Sequence, residues 1–171
     1  GRADGDRAGT HTVLYSGTHG LIHGMDALLD AADVLRSEPS VRFVLVGDGA
    51  EKDALVRRAA AMGLPNVEFR PSEQPERLAE TIRGASVCVA TMSAGEFSDT
   101  AVPVKMFDYM ACGRPVVAAV AGDARDIVRA SGGGIVVPPG GGEGIAAAVR
   151  RRGTDGALAG RRGRAGARSG G

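Results

Sequence analysis

Six short apolar runs alternate with segments of helical period along this chain, and no other feature narrows the fold as far. Val41–Gly47 (V-R-F-V-L-V-G) is the clearest of these runs, ended by Gly47-Asp48-Gly49. Thr12–Ser16, Asn66–Phe69, Val87–Ala90, Val116–Val120 and Gly134–Val137 are shorter runs of the same kind. Runs this short that are bounded by turn residues and rich in Val are read as strands buried on both faces. Between them, Met25, Leu28, Leu29, Ala32 and Leu35 recur at helical spacing and stop before Pro39. Glu51–Met62, closed by Gly63, and Pro75–Arg83 repeat the pattern, as do a helix ending at Gly113, Asp123–Ala130 and Glu143–Arg152. Strand and helix in strict alternation predict a doubly wound, Rossmann-like α/β domain. Its sheet has about six parallel strands, and ligands bind at their carboxyl ends.

The chain has 171 residues, enough for one domain with a proper core. Residues 1–11 are polar and Gly-rich and read as a linker, with the domain over 12–152. The segment 153–171 holds seven Gly and Leu158 as its one large apolar side chain, a composition expected to stay disordered. No run of about 18 apolar residues is present, so no membrane span is expected, and the first residues lack the apolar stretch of a signal peptide. Cys88 and Cys112 follow no metal or disulfide pattern and fit reduced thiols in the cytoplasm. From Arg150 onward there are seven Arg and one acid, Asp155, while the body is net acidic. Such a tail could bind nucleic acid in a salt-dependent way. Arginine-rich ends are commonly just solvated, and no nucleic-acid partner is expected.

Three features are expected at the carboxyl edge. The first is the loop S-G-T-H-G-L-I-H-G-M-D, in which Gly17 and Gly20 let the backbone approach a phosphate and His19 and His23 can donate to its oxygens. Its spacing is not that of the dinucleotide fingerprint, and the glycines can equally serve only to turn the chain between surface histidines. The second, V-G-D-G-A-E, is needed to leave a buried strand in any case. The third is T-A-V-P-V-K-M-F-D-Y-M-A-C-G-R-P-V-V, residues 100–117. Pro103 is placed to open a helix, Gly113 to close it in the left-handed region, and Pro115 to prevent continuation. Asp108 lies five residues further in, about 7–8 Å along the axis, among the apolar neighbours Phe107, Tyr109 and Met110. A helix start that accepts phosphate, followed by a carboxylate that accepts ribose O–H bonds, makes a nucleotide site. Lys105 reads equally as a diphosphate partner or a solvated lysine.

In order along the chain stand G-x-H-G-L-x-x-G, V-x-F-V-L-V-G-D-G, N-V-x-F, V-P-x-K-M-F-D-Y-M-A-C-G-R-P-V-V and G-G-G-I-V-V-P-P-G. This series resembles the C-terminal, donor-binding domain of GT-B glycosyltransferases, and in particular the retaining family 4 enzymes of the fucosaminyltransferase-like branch, used in surface-polysaccharide synthesis. The resemblance implies a nucleotide-sugar donor, usually a UDP-sugar, and neither cofactor nor metal. By position it places Gly17, Thr18, His19, Gly20 and His23 at the diphosphate. Arg70 and Pro71 flank the base, with Leu78 beneath it. Thr100, Ala101, Val102, Pro103 and Val104 supply backbone N–H groups to phosphates and sugar, Lys105 stands at the diphosphate, and Asp108 binds ribose.

The chain departs from the family pattern in three places. Thr100 occupies the first acidic position of the E-x7-E element and Asp108 the second; Thr18 and His23 stand where many relatives carry Arg and Lys; Val104 replaces a hydroxyl residue. GT-B enzymes also use an N-terminal acceptor domain, which nothing here resembles. The expectation is therefore a fragment, truncated product or half of a split enzyme, whose acceptor-binding domain or subunit acts in trans and supplies any peripheral membrane association. Alone it would bind nucleotide-sugar weakly and turn over nothing. A non-catalytic nucleotide-binding module is the alternative, and a sugar-nucleotide epimerase of the same architecture is a further one. No residue is singled out as catalytic.

Overall fold

The structure is a computed structural model and describes residues 9–20, 23–95 and 102–152. The expected linker, apart from its last three residues, and the tail from 153 lie outside the described residues, as do Thr100 and Ala101. Six strands and five helices alternate as β1 (His11–Ser16), α1 (Asp26–Val34), β2 (Val41–Val46), α2 (Lys52–Ala61), β3 (Val67–Arg70), α3 (Pro75–Arg83), β4 (Val87–Thr91), α4 (Lys105–Ala111), β5 (Val116–Ala119), α5 (Gly122–Ser131) and β6 (Gly134–Val137). A further helix, α6, covers 142–152.

All described strand pairs are parallel, in the order β3-β2-β1-β4-β5-β6. The order reverses between β1 and β4, which opens a crevice at their carboxyl ends. The two strands pair over Val13 with Val87 and Leu14 with Cys88 only, so their ends diverge beyond this short ladder.

The period-2 alternation of each strand supplies two cores. Val13, Tyr15, Phe43, Leu45, Val87, Val89, Val117 and Ala119 pack on one face with Leu28 and Leu29 of α1, Leu55 of α2 and Ile145 and Val149 of α6. Leu14, Val44, Val46, Cys88, Ala90, Val116 and Ala118 pack on the other with Ile82 of α3, Met106 and Tyr109 of α4 and Val128 of α5. Each central strand is therefore apolar at nearly every position, which is why these runs lack a polar face in the sequence.

Two boundaries differ from expectation. The third strand is shifted by one residue, because the Asn66 side chain leaves the strand pattern and donates Nδ2–H to Ala32 O at 3.0 Å. Pro103 does not open α4; it precedes Val104, the N-cap, and its carbonyl accepts Met106 N–H at 3.2 Å. Asp108 consequently lies in the first turn of α4. The helix does end at Gly113, in the left-handed region at φ 69°. Gly113 N–H donates to Met110 O at 2.9 Å and Arg114 N–H to Tyr109 O at 3.1 Å, the two bonds that close a Schellman motif.

Candidate functional site

The reversal between β1 and β4 holds a crevice of about 390 Å³ lined by Ser16, Gly17, Thr18, His23, Leu78, Met92, Val102, Pro103, Val104, Lys105 and Asp108. Its floor is the carboxyl end of β1 and its wall the first turn of α4, with Leu78 reaching in from α3. Nine of the residues singled out in the sequence meet here: Gly17, Thr18, His23, Leu78, Val102, Pro103, Val104, Lys105 and Asp108.

The wall is fixed to the floor by two side chains one helical turn apart on α4. Fully buried Tyr109 accepts Ser16 N–H at 2.9 Å and lies 3.1 Å from Ser16 Oγ. Lys105 donates from Nζ to Tyr15 Oη at 2.6 Å, and its ammonium sits 3.9 Å from the centre of the Tyr15 ring. Tyr15 Oη–H in turn donates to Thr18 O at 2.8 Å. Among the described residues Lys105 pairs with no carboxylate. Burial pushes its ammonium down to about 8 and holds the Tyr15 and Tyr109 phenols well above their ordinary value. A largely buried cation that faces a crevice and pairs with no carboxylate among the described residues is one that an added anion would stabilise. Of the two readings of Lys105, its partial burial and its bond to Tyr15 favour the one at the crevice over a freely solvated lysine.

Gly17, His19 and His23 are held from both sides. Gly17 N–H donates to Val46 O at 2.9 Å, His19 N–H to Asp48 O at 3.0 Å and Glu51 N–H to His19 O at 2.9 Å. Thr91 Oγ1–H donates to His23 O at the end of β4. The Gly47-Asp48-Gly49 turn is shaped by this contact, since a Cβ on Gly47 would stand 2.0 Å from Gly17 O. Gly17 itself adopts φ 133°, and a Cβ there would meet Lys105 Nζ at 2.8 Å.

Four expected site residues are not in the crevice. His19 is fully buried and neither meets a ligand there nor lies on the surface. Its ring stacks edge-on against Tyr15 at 5.8 Å and tilts against Phe69 at 6.3 Å. Nδ1 lies 3.0 Å from Gly17 O, so it carries the proton, and Nε2 is buried without a partner. Burial lowers the His19 pKa; the Gly17 carbonyl opposes this. Gly20 faces a separate cleft with Gly24, Glu51 and Arg58. Arg70 and Pro71 lie at the end of β3, two strands from β1. Arg70 pairs with Glu68 at 3.1 Å, and its carbonyl accepts Lys52 Nζ at 3.0 Å. Asp108 also lacks the expected apolar sheath: it is exposed, and Phe107 turns outward at 47% exposure while Tyr109 turns into the core. Its carboxylate is an open group on the crevice wall.

The sequence reading missed Tyr15, Ser16 and Met92. Ser16 and Met92 end or follow the two strands that diverge, a position that strand order alone would have flagged. Tyr15 was hidden as one more apolar letter of a buried strand. Among the described residues no cluster of three or more metal-ligating side chains occurs, and no helix is long and apolar enough to cross a membrane.

The fold and crevice define the class: a doubly wound α/β domain with its ligand edge at the β1/β4 reversal. Residues 10–155 match the family described as Glycosyl transferases group 1, and the chain belongs to that family. It is 34% identical over 127 residues to the D-inositol 3-phosphate glycosyltransferase of Frankia alni, covering 68% of this chain and 30% of that protein. Among solved structures it is similar to Anabaena Alr3699/HepE in complex with UDP (TM-score 0.72, 26% identity, 86% of this chain and 40% of that one). The C-terminal domain of the group 1 glycosyl transferase LpcC from Francisella tularensis shares the fold (TM-score 0.69, 19% identity, 86% of this chain and 77% of that one). The domain has the architecture of the C-terminal half of GT-B glycosyltransferases. The chain spans about a quarter to a third of the length of the curated relatives it matches.

Proposed function

We propose that this domain binds the donor of a glycosyl transfer, a nucleotide-sugar of the UDP type, with its diphosphate between Gly17, Thr18 and Lys105 and its ribose at Asp108. The observation that carries this reading is the Lys105 ammonium, turned into the crevice with no carboxylate partner among the described residues. The crevice size is within the range of small-ligand sites. HepE, the similar structure noted above, is in complex with UDP, and another of its structures contains UDP-glucose (TM-score 0.71, 25% identity). Lys105 and Asp108 stand three residues apart on one helix, so cation and carboxylate share a wall of the crevice. The negative charge that grows on a leaving diphosphate would meet Lys105 and the N-terminal end of α4.

The finer assignment, to the retaining family 4 enzymes and their fucosaminyltransferase-like branch, rests on the motif series from Gly17 to Pro139. Transfer would need an acceptor-binding domain or subunit, in keeping with the length of the relatives. Titration with UDP while following backbone amide shifts tests the proposal. Saturable shifts at Gly17, Thr18, Lys105 and Asp108, weakened about tenfold or more in Asp108→Ala, are the expected result. No response at millimolar UDP would reject it.

A further inference from the structure

Beyond the residues that would touch a ligand, Tyr15 stands out. Its side chain is fully buried under the loop, yet its hydroxyl joins two groups at the crevice surface that come from different parts of the chain. We infer that Tyr15 is a positioning residue, whose hydroxyl holds the Lys105 ammonium of α4 and the Thr18 carbonyl of the glycine loop in one arrangement that accepts a phosphate group. This rests on the donor-site reading above and deepens it, by saying what keeps the cation in place.

The geometry leaves the hydroxyl little freedom. It has one proton, directed to Thr18 O at 2.8 Å, and it accepts from Lys105 Nζ at 2.6 Å. Both bonds are satisfied only when helix and loop are in register. The ring below, 3.9 Å from the ammonium, attracts the cation but does not direct it. Gly17 completes the arrangement, because any side chain there would occupy the ammonium's place. The neighbouring titratable groups are His19 and His23 from the loop and Asp108 on the same helix as Lys105. Burial lowers both histidine pKa values, and the nearby Lys105 charge lowers them further, secondary to burial. Asp108 forms no ion pair with Lys105. With the histidines neutral and the aspartate unpaired, the phenol is the fixed partner of the ammonium. Without that hydroxyl the ammonium stays over the ring but loses the oxygen that accepts from it.

Tyr15→Phe keeps the ring and removes only the hydroxyl. The chain has two lysines, Lys52 and Lys105, so a sample with 13C at lysine Cε gives two signals that can be titrated separately. The expected result is that the Lys105 midpoint falls further below that of an ordinary lysine in Tyr15→Phe, because the charged form loses its oxygen acceptor, while Lys52 is unmoved. UDP affinity falls about tenfold, and uridine, which lacks phosphate, binds as before. An unchanged Lys105 midpoint, or an equal loss for UDP and uridine, overturns the inference. The lysine titration needs no ligand, so it decides the role of Tyr15 even if wild-type protein fails to take up UDP, a failure that counts only against the nucleotide reading. Protein with 3-fluorotyrosine, a weaker acceptor, placed at position 15 alone and Tyr109 unaltered gives a second arm should Tyr15→Phe unfold. Its Lys105 midpoint must move as well.

Discussion

Two crevices of the same volume, about 390 Å³, lie at opposite edges of the sheet. The one at the carboxyl edge is bounded by the start of α4, the other by the ends of α4 and α5, with Gly113, Arg114, Pro115, Ser131, Gly133 and Arg152 in its lining. Both contain cations, and the difference is what those cations face. Helix ends expose carbonyls and a partial negative charge that favours cations such as Arg114 and Arg152; Arg114 Nη1 donates to Ala85 O at 3.4 Å, while the Nε atoms of both are buried without a hydrogen-bond partner among the described residues. Lys105 stands at a helix start and is held by the Tyr15 hydroxyl and ring, with no carboxylate paired to it among the described residues. Volume does not distinguish the two crevices, but the helix end that each one faces does.

The comparison breaks most visibly through the glycines. At the carboxyl edge, Gly47→Ala would drive a Cβ to 2.0 Å from Gly17 O at φ 143°. Overpacking and backbone strain together are expected to cost about 3–5 kcal/mol, read by urea denaturation, with loss of the loop that floors the crevice. Gly113 at the amino edge has open space around its missing Cβ and only a positive φ, so Gly113→Ala is expected to cost about 1–2 kcal/mol. Equal costs would mean that the two turns are held by backbone preference alone.

Charge removal sharpens the contrast further. Lys105→Met is expected to weaken UDP binding by about tenfold to a hundredfold, the worth of one bond to a charged group of about 1.5–3 kcal/mol. Arg114→Met at the opposite edge is expected to leave UDP affinity within about twofold, as distant sites usually act independently. Calorimetric titration of both variants checks this, and a large effect of Arg114→Met would place the ligand elsewhere.

How much of this was legible in the sequence follows from what each signal measures. The strands were readable because burial on both faces forces unbroken apolar runs, as in Val41–Val46, and the end of α4 because Gly113 and Pro115 act locally. The start of α4 was not: a proline suits the residue before an N-cap as well as the first helical position, and only Pro103 O accepting Met106 N–H tells them apart. His19 was misread because a polar letter between glycines looks solvated. Its burial comes from Tyr15 and Phe69, which are 4 and 50 positions away. Tyr15 was invisible as a polar group for the same reason, since its partners lie at Thr18 and, through the fold, at Lys105. Contacts of long sequence separation left no periodic trace, and those are the contacts that build the site.

The pH dependence is the effect most specific to the carboxyl edge. In the free protein Lys105 titrates at about 8, below the ordinary lysine value of 10.5, because burial disfavours its charge. Between those values the unfolded chain holds a proton that the folded chain has released, so this lysine favours folding increasingly as pH rises through the window. A bound diphosphate acts in the opposite direction, restoring the proton by supplying the missing anion. UDP affinity is therefore expected to be highest below pH 8 and to fall by up to about tenfold per pH unit above it. Stability of the free chain would rise over the same range. Lys105→Met removes both trends at once, whereas Arg114→Met removes neither. Measuring UDP affinity and urea midpoints from pH 7 to 9.5 in the three proteins would separate these outcomes. If affinity stayed flat above pH 8 in the unaltered chain, the cation facing the crevice would not be the one that meets the phosphates.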